Sequence, residues 1–135
     1  MRLLFAFFAA SVLLLGSEIA WQKDYASALS HAKNEGKLLF VFMSGEDCKF
    51  CKKYEATTFK DPKIIERINK EYVSVHLDKV KDSYPKALET NAVPKLYFLD
   101  ANGEIIDYSL GYWDADDFGF ILKDVQKRLE KRGAK

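Results

Sequence analysis

Two cysteines and two histidines are all that the 135-residue chain holds of those types, and the shortage excludes something. Two cysteines make no disulfide framework of the kind that staples small secreted scaffolds. They supply half of a tetrahedral zinc site, and the remainder would have to come from His31, His76 or carboxylates. No second cysteine pair exists, so the ligand count speaks against a metal centre. An excess of one charge is missing too. The formal net charge is +1, and setting Arg2 aside leaves 20 basic against 20 acidic side chains. A near-neutral body gives no electrostatic reason to expect nucleic acid as a partner. No apolar run reaches the roughly 20 residues of a membrane span, and neither an internal repeat nor a low-complexity linker interrupts the chain.

What is present suits a soluble globular fold of one domain: 48% hydrophobic and 30% charged residues, with 10 Phe and 7 Tyr to fill a core. The first 16 residues differ from the rest. Arg2 precedes Leu3–Gly16, which carries no charge and only Ser11 as a hydroxyl. One positive charge ahead of a short apolar run is the pattern of a secretory leader. Residues 1–17 are therefore expected to be a signal peptide or N-terminal anchor, and 18–135 the domain. Ser17 and Ala20 are small enough to precede a cut, but Leu15 and Glu18 fit poorly two positions earlier, so cleaved leader and retained anchor both stay open. With no Cys near residue 17, a lipid anchor is not supported.

The hydrophobic pattern orders the rest. Tyr25, Ala28, Leu29 and Ala32 repeat at helical spacing over 24–35, and Gly36 fits as the stop. Leu38–Met43 is an unbroken apolar run, the mark of a strand covered on both faces. Ser44–Asp47 breaks it, and a helix is expected from about Cys48. Asp61-Pro62 interrupts that helix, which resumes through Ile64, Ile65 and Ile68. Tyr72–Leu77 alternates as a strand, with His76 half-exposed on the face of Ser74 and Asp78. A short helix is expected around 84–88. Lys95–Leu99 and Glu104–Leu110 flank an Asp-Ala-Asn-Gly turn as a hairpin. Phe118, Ile121, Leu122, Val125 and Leu129 stripe a closing helix over 114–131, with acids at its start and Lys/Arg at its end. The interrupted basic tail, Lys127 to Lys135, is read as the solvated face of that helix.

The chemistry lies in Cys48-Lys49-Phe50-Cys51. Residues three apart on a helix share a face, so their sulfurs reach bonding distance with little backbone movement. As a structural staple the pair is weak, because it closes almost no loop. At a helix N-terminus the first sulfur meets unpaired N–H groups and the positive end of the helix dipole, which favour a thiolate. Lys49 adds a cation and Asp47 opposes it. Exchange chemistry then gives the roles: Cys48 is the nucleophile and Cys51, one turn in, resolves the mixed disulfide.

At this point the sequence resembles the thioredoxin superfamily, and within it exported thioredoxin-like proteins of the SoxW type. The likeness runs from about Trp21 to Leu129. It is carried by Lys37–Phe42 leading into Asp47–Lys53, by Phe59-Lys60-Asp61-Pro62, by Asn91–Asp100, and by Gly103 and Gly111-Tyr112. It implies an α/β thioredoxin-like fold, a central mixed four-stranded sheet flanked by helices. It also implies a cis proline facing the cysteine pair, which is Pro94, with the backbone of Val93 left free to pair with an extended substrate. Two departures stand out. Asp47 occupies the place of the usual tryptophan, and Phe42 that of thioredoxin's buried acid.

The expected activity is thiol–disulfide exchange on the disulfides of exported proteins, with the reductase direction favoured. No cofactor is expected beyond the cysteine pair. The expected partners are disulfide-bearing exported proteins and a membrane or periplasmic protein that recharges the pair. A net oxidase, and a redox-inert binding module on the same scaffold, are the alternatives; the second sulfur, for which a binding module has no need, argues against the latter.

Overall fold

The computed structural model describes residues 16–134, so most of the expected leader, residues 1–15, lies outside the described part. Five strands form one sheet: β1 Trp21–Gln22, β2 Leu38–Ser44, β3 Tyr72–Asp78, β4 Lys95–Leu99 and β5 Ile105–Leu110, in the order β1-β3-β2-β4-β5. β2 pairs parallel with β3 and antiparallel with β4, and β5 returns antiparallel to β4. The sheet is mixed, as expected, but it has five strands rather than four. The additional strand is β1, two residues pairing parallel with β3 through Trp21↔Ser74 and Gln22↔Val75. A strand of that length has no periodicity to read, and only the tertiary pairing defines it.

Among the described residues four helices cover the sheet: α1 Tyr25–Glu35, α2 Lys49–Ala56, α3 Pro62–Glu71 and α4 Ala115–Gly133. Their ends follow from local chemistry. Asp24, Asp61 and Asp114 each turn a side-chain oxygen onto free N–H groups of the first turn of α1, α3 and α4. Gly36 ends α1 in the left-handed conformation, φ 65°. Pro62 fills the first position of α3, where its missing N–H costs nothing. Between α2 and α3 the chain tightens into a 3₁₀ turn, Thr58–Lys60. The helix expected around 84–88 shrinks to a 3₁₀ turn at Lys86–Leu88. β5 begins at Ile105, one residue later than its pattern suggests, because the Glu104 N–H is held by the Asp100 carboxylate in the turn.

The two faces of the sheet are packed differently. On one, Phe40, Phe42, Leu96 and Phe98 meet Cys51 and Tyr54 of α2, Ile64, Ile65 and Ile68 of α3, and Phe118, Leu122 and Val125 of α4. On the other, Leu39, Val41, Met43, Val73, Val75 and Leu77 meet Tyr25, Ala28 and Ala32 of α1. β2 is covered on both sides, as its unbroken apolar run required. β3 forms where its alternation placed it and keeps His76 half-exposed, as expected, while Tyr72 and Ser74 on the same face are buried. Each large side chain removed from water adds about 1.5–3 kcal/mol to the drive for folding.

Candidate active site

β2 ends at Ser44 and the chain turns through Gly45-Glu46-Asp47 before α2 begins. Asp47 takes a left-handed backbone conformation, φ 56°, which Asp tolerates better than most residues. That turn delivers Cys48 to the N-cap of α2, where its Sγ accepts the Cys51 N–H at 3.1 Å. Cys48 and Cys51 are joined, S–S 2.07 Å, with their Cα atoms 5.2 Å apart. Their exposure differs: Cys48 is half-buried, Cys51 only 3% exposed. Lys49 is the first residue of the helix and exposed, as is Asp47.

The Val93–Pro94 peptide bond is cis. Pro94 is buried and Val93 half-buried. Val93 stands beside the turn that leads to Cys48, its Cγ2 3.4 Å from where a Cβ on Gly45 would lie. The Pro94 carbonyl accepts the Gly111 N–H at 2.9 Å, and the Gly111 carbonyl accepts the Tyr54 hydroxyl at 2.7 Å. Tyr54 lies on α2, so Gly111 (φ 85°, open to glycine without strain) ties the proline to the cysteine helix.

The brace continues. The same Tyr54 oxygen accepts the Trp113 N–H at 3.0 Å. Thr58 Oγ1 donates to the Trp113 carbonyl at 2.7 Å, and Thr57 Oγ1 and the Tyr112 hydroxyl share a hydrogen bond at 2.8 Å. Burial pushes the Tyr54 phenol far above its ordinary range, so it stays a neutral donor and acceptor. Hydrogen bonds from Thr57 and Thr58 draw the Tyr112 phenol below its ordinary value. Nothing in the sequence reading pointed to Tyr54. The available signal was its position three residues after Cys51, on the same face of α2.

Phe42 is fully buried against Tyr54, Phe59 and His76, with ring centroids 5.8, 5.0 and 4.5 Å away. The spot is apolar. The His76 imidazole of β3 that packs on this ring has its Nε2 2.7 Å from Ser44 Oγ of β2 and its Nδ1 3.7 Å from Glu55 of α2. Burial holds the His76 imidazole below its usual value, with Glu55, Asp82 and Asp78 opposing. His31 is exposed on α1. No group of three or more His, Cys, Asp or Glu among the described residues is placed to hold a metal.

A parallel–antiparallel mixed sheet, helices on both faces and a Cys-x-x-Cys pair at a helix start define a thioredoxin-type thiol–disulfide scaffold. The chain belongs to the thioredoxin-like domain family, whose model matches residues 25–126. Among curated proteins it is 28% identical over 87 residues to anterior gradient protein 3 of Mus musculus, a match over 63% of this chain and 52% of the relative. The chain thus spans about half the length of the curated relative it matches. Among solved structures it is similar to a putative disulphide-isomerase from Bacteroides thetaiotaomicron, 29% identical with a TM-score of 0.69 over 85% of this chain and 96% of that one. It also superposes on DsbH oxidoreductase at a TM-score of 0.70 and 20% identity, covering 85% and 89% of the two chains, a likeness of fold. A thioredoxin-like domain with its cysteine pair at disulfide distance supports thiol–disulfide exchange.

Proposed function

We propose that this protein is a thiol–disulfide oxidoreductase of exported proteins, of the SoxW type, acting in the reducing direction. The observation that carries the reading is the Cys51 N–H directed at Cys48 Sγ at the N-cap of α2. When the pair is reduced, that N–H and the helix dipole favour charge on Cys48. The Cys48 thiolate attacks one sulfur of a substrate disulfide, and the other leaves as a thiolate that takes up a proton. Cys51 then loses its proton and attacks Cys48 Sγ, releasing the second substrate thiol. Two electrons and two protons pass to the substrate, and the Cys48–Cys51 disulfide remains.

Lys49 adds to the charge on Cys48 and Asp47 subtracts from it. Val93 offers its backbone to an extended substrate: neither its N–H nor its C=O is hydrogen-bonded among the described residues. A membrane or periplasmic partner recharges the pair, and residues 1–17 direct export. No helix among the described residues is long and apolar enough to cross a membrane.

The test is a Cys51→Ala variant together with the glutathione equilibrium of the intact pair. The variant should accumulate mixed disulfides with its substrates through Cys48. An equilibrium near about −270 mV fits a reductant and one near about −120 mV a net oxidase. A variant that binds partners unchanged and forms no mixed disulfide would point instead to a binding module.

A further inference from the structure

Beside the cysteine pair lies an exposed aromatic surface that the exchange chemistry does not use. Phe50, between the two cysteines, leaves 51% of its surface exposed. Its ring is stacked 6.3 Å from that of Tyr112, at 30° between planes. Tyr112 is immobilised from below, by its hydroxyl on Thr57 and by the Tyr54 ring 5.0 Å away. Lys53 Nζ stands 4.5 Å above the Tyr112 ring. Trp113, 38% exposed, follows in sequence. The short helix carries three lysines, Lys49, Lys52 and Lys53, and none forms an ion pair with a carboxylate among the described residues. Its one acid, Glu55, stands near His76.

We infer that Phe50, Tyr112 and Lys53 form a selectivity shelf for extended, cystine-bearing protein segments with an aromatic side chain and a carboxylate flanking the reactive sulfur. The inference rests on the exchange reading above and deepens it. An aromatic side chain of the segment lies on the Phe50–Tyr112 stack. A carboxylate meets Lys53 and its lysine neighbours, which lack internal partners, and the cation over the Tyr112 ring is thereby neutralised from its open side. Its hydrogen bond to Thr57 and its contact with the Tyr54 ring hold Tyr112 in place beforehand, so little ordering is needed on binding.

The experiment uses the reduced full chain and four disulfide-linked peptides that place Phe-Glu, Phe-Lys, Ala-Glu or Ala-Lys beside the cystine. Hydroxyethyl disulfide, which reaches Cys48 without the shelf, is the reference. The readout is each peptide's second-order rate constant divided by that of the reference. The Phe-Glu peptide should exceed Ala-Lys about tenfold at low salt, with the Glu component shrinking as salt rises. Lys53→Glu should turn the charge preference towards the Lys peptides, and Tyr112→Leu should level the Phe and Ala peptides. Peptides within twofold of one another, with the reference reduced normally, would overturn the shelf and leave the exchange reading standing. Association of the chain into a dimer that buries Phe50 would overturn it as well. If neither the reference nor any peptide is reduced, the exchange reading fails and the shelf fails with it.

Discussion

The two faces of the sheet solve the same packing problem with different materials, and only one of them carries chemistry. The face under α1 is mostly aliphatic: alternate residues of β2 and β3 interlock with the small residues Ala28 and Ala32. The face under α2, α3 and α4 is a mesh of rings in which Phe40 alone neighbours Trp21, Phe59, Tyr72, Phe98 and Phe118. The attraction between aliphatic chains is non-directional, whereas ring pairs favour particular angles and hold their neighbours in place. The cysteine helix rests on the ring-built face, and the Tyr54 hydroxyl projects from it to fix the 111–113 segment.

Removing a ring should therefore hurt more than removing a branched aliphatic group. Phe40→Ala is expected to cost about 3–5 kcal/mol, and Val75→Ala on the opposite face about 1.6 kcal/mol, for two lost carbons at about 0.8 kcal/mol each. Urea unfolding of both variants measures the gap, and equal losses would break the comparison. Tyr54→Phe keeps the ring and removes one oxygen. It strands the Gly111 carbonyl and the Trp113 N–H, at a cost of about 1–3 kcal/mol, and should slow exchange with protein substrates more than with a small disulfide. A variant that loses stability but keeps the same ratio of rates would reduce the brace to scaffolding.

Helix caps sharpen the contrast at a smaller scale. Asp61→Ala on α3 should cost about 1 kcal/mol, and Asp24→Ala on α1 should destabilise in the same direction, since both act locally whichever face lies behind them. Smallest is the pH response. Burial lowers the His76 pKa on folding, so the unfolded chain binds the proton more readily. Its contribution to stability is complete above about pH 6.5 and declines as the pH falls through the depressed folded value. Thermal unfolding followed from pH 7.5 to 5 should show this decline, and His76→Asn should flatten it.

How much of this was legible beforehand depended on whether a feature lay within a few residues of chain. The Cys48–Cys51 spacing, the Asp61-Pro62 break, the buried strand at 38–43 and the Asn-Gly hairpin are local signals. Each emerged within a residue or two of where it was read. β1, Tyr54 and the Ser44–His76 contact are products of tertiary juxtaposition. Trp21 and Ser74 are 53 positions apart, and Tyr54 meets Gly111 across 57 residues. The alternation of β3 located the strand and the half-exposed His76, but not the burial of Ser74, whose hydroxyl is left unpaired on the ring-built face. The expectation of export rested on residues 1–17, most of which lie outside the described part.

One consequence follows from Cys48 serving as the cap of its own helix. Oxidised, its sulfur is a weak acceptor for the Cys51 amide; ionised, a strong one. Helix integrity and electron occupancy are thus two sides of a single thermodynamic cycle, in which anything that firms the first turn of α2 in one oxidation state must tilt the pair towards that state by the same free energy. The difference between the unfolding free energies of the dithiol and disulfide forms, divided by 2F for the two electrons, therefore equals the shift in potential that folding imposes on the bare peptide. A pair of denaturation curves measures it.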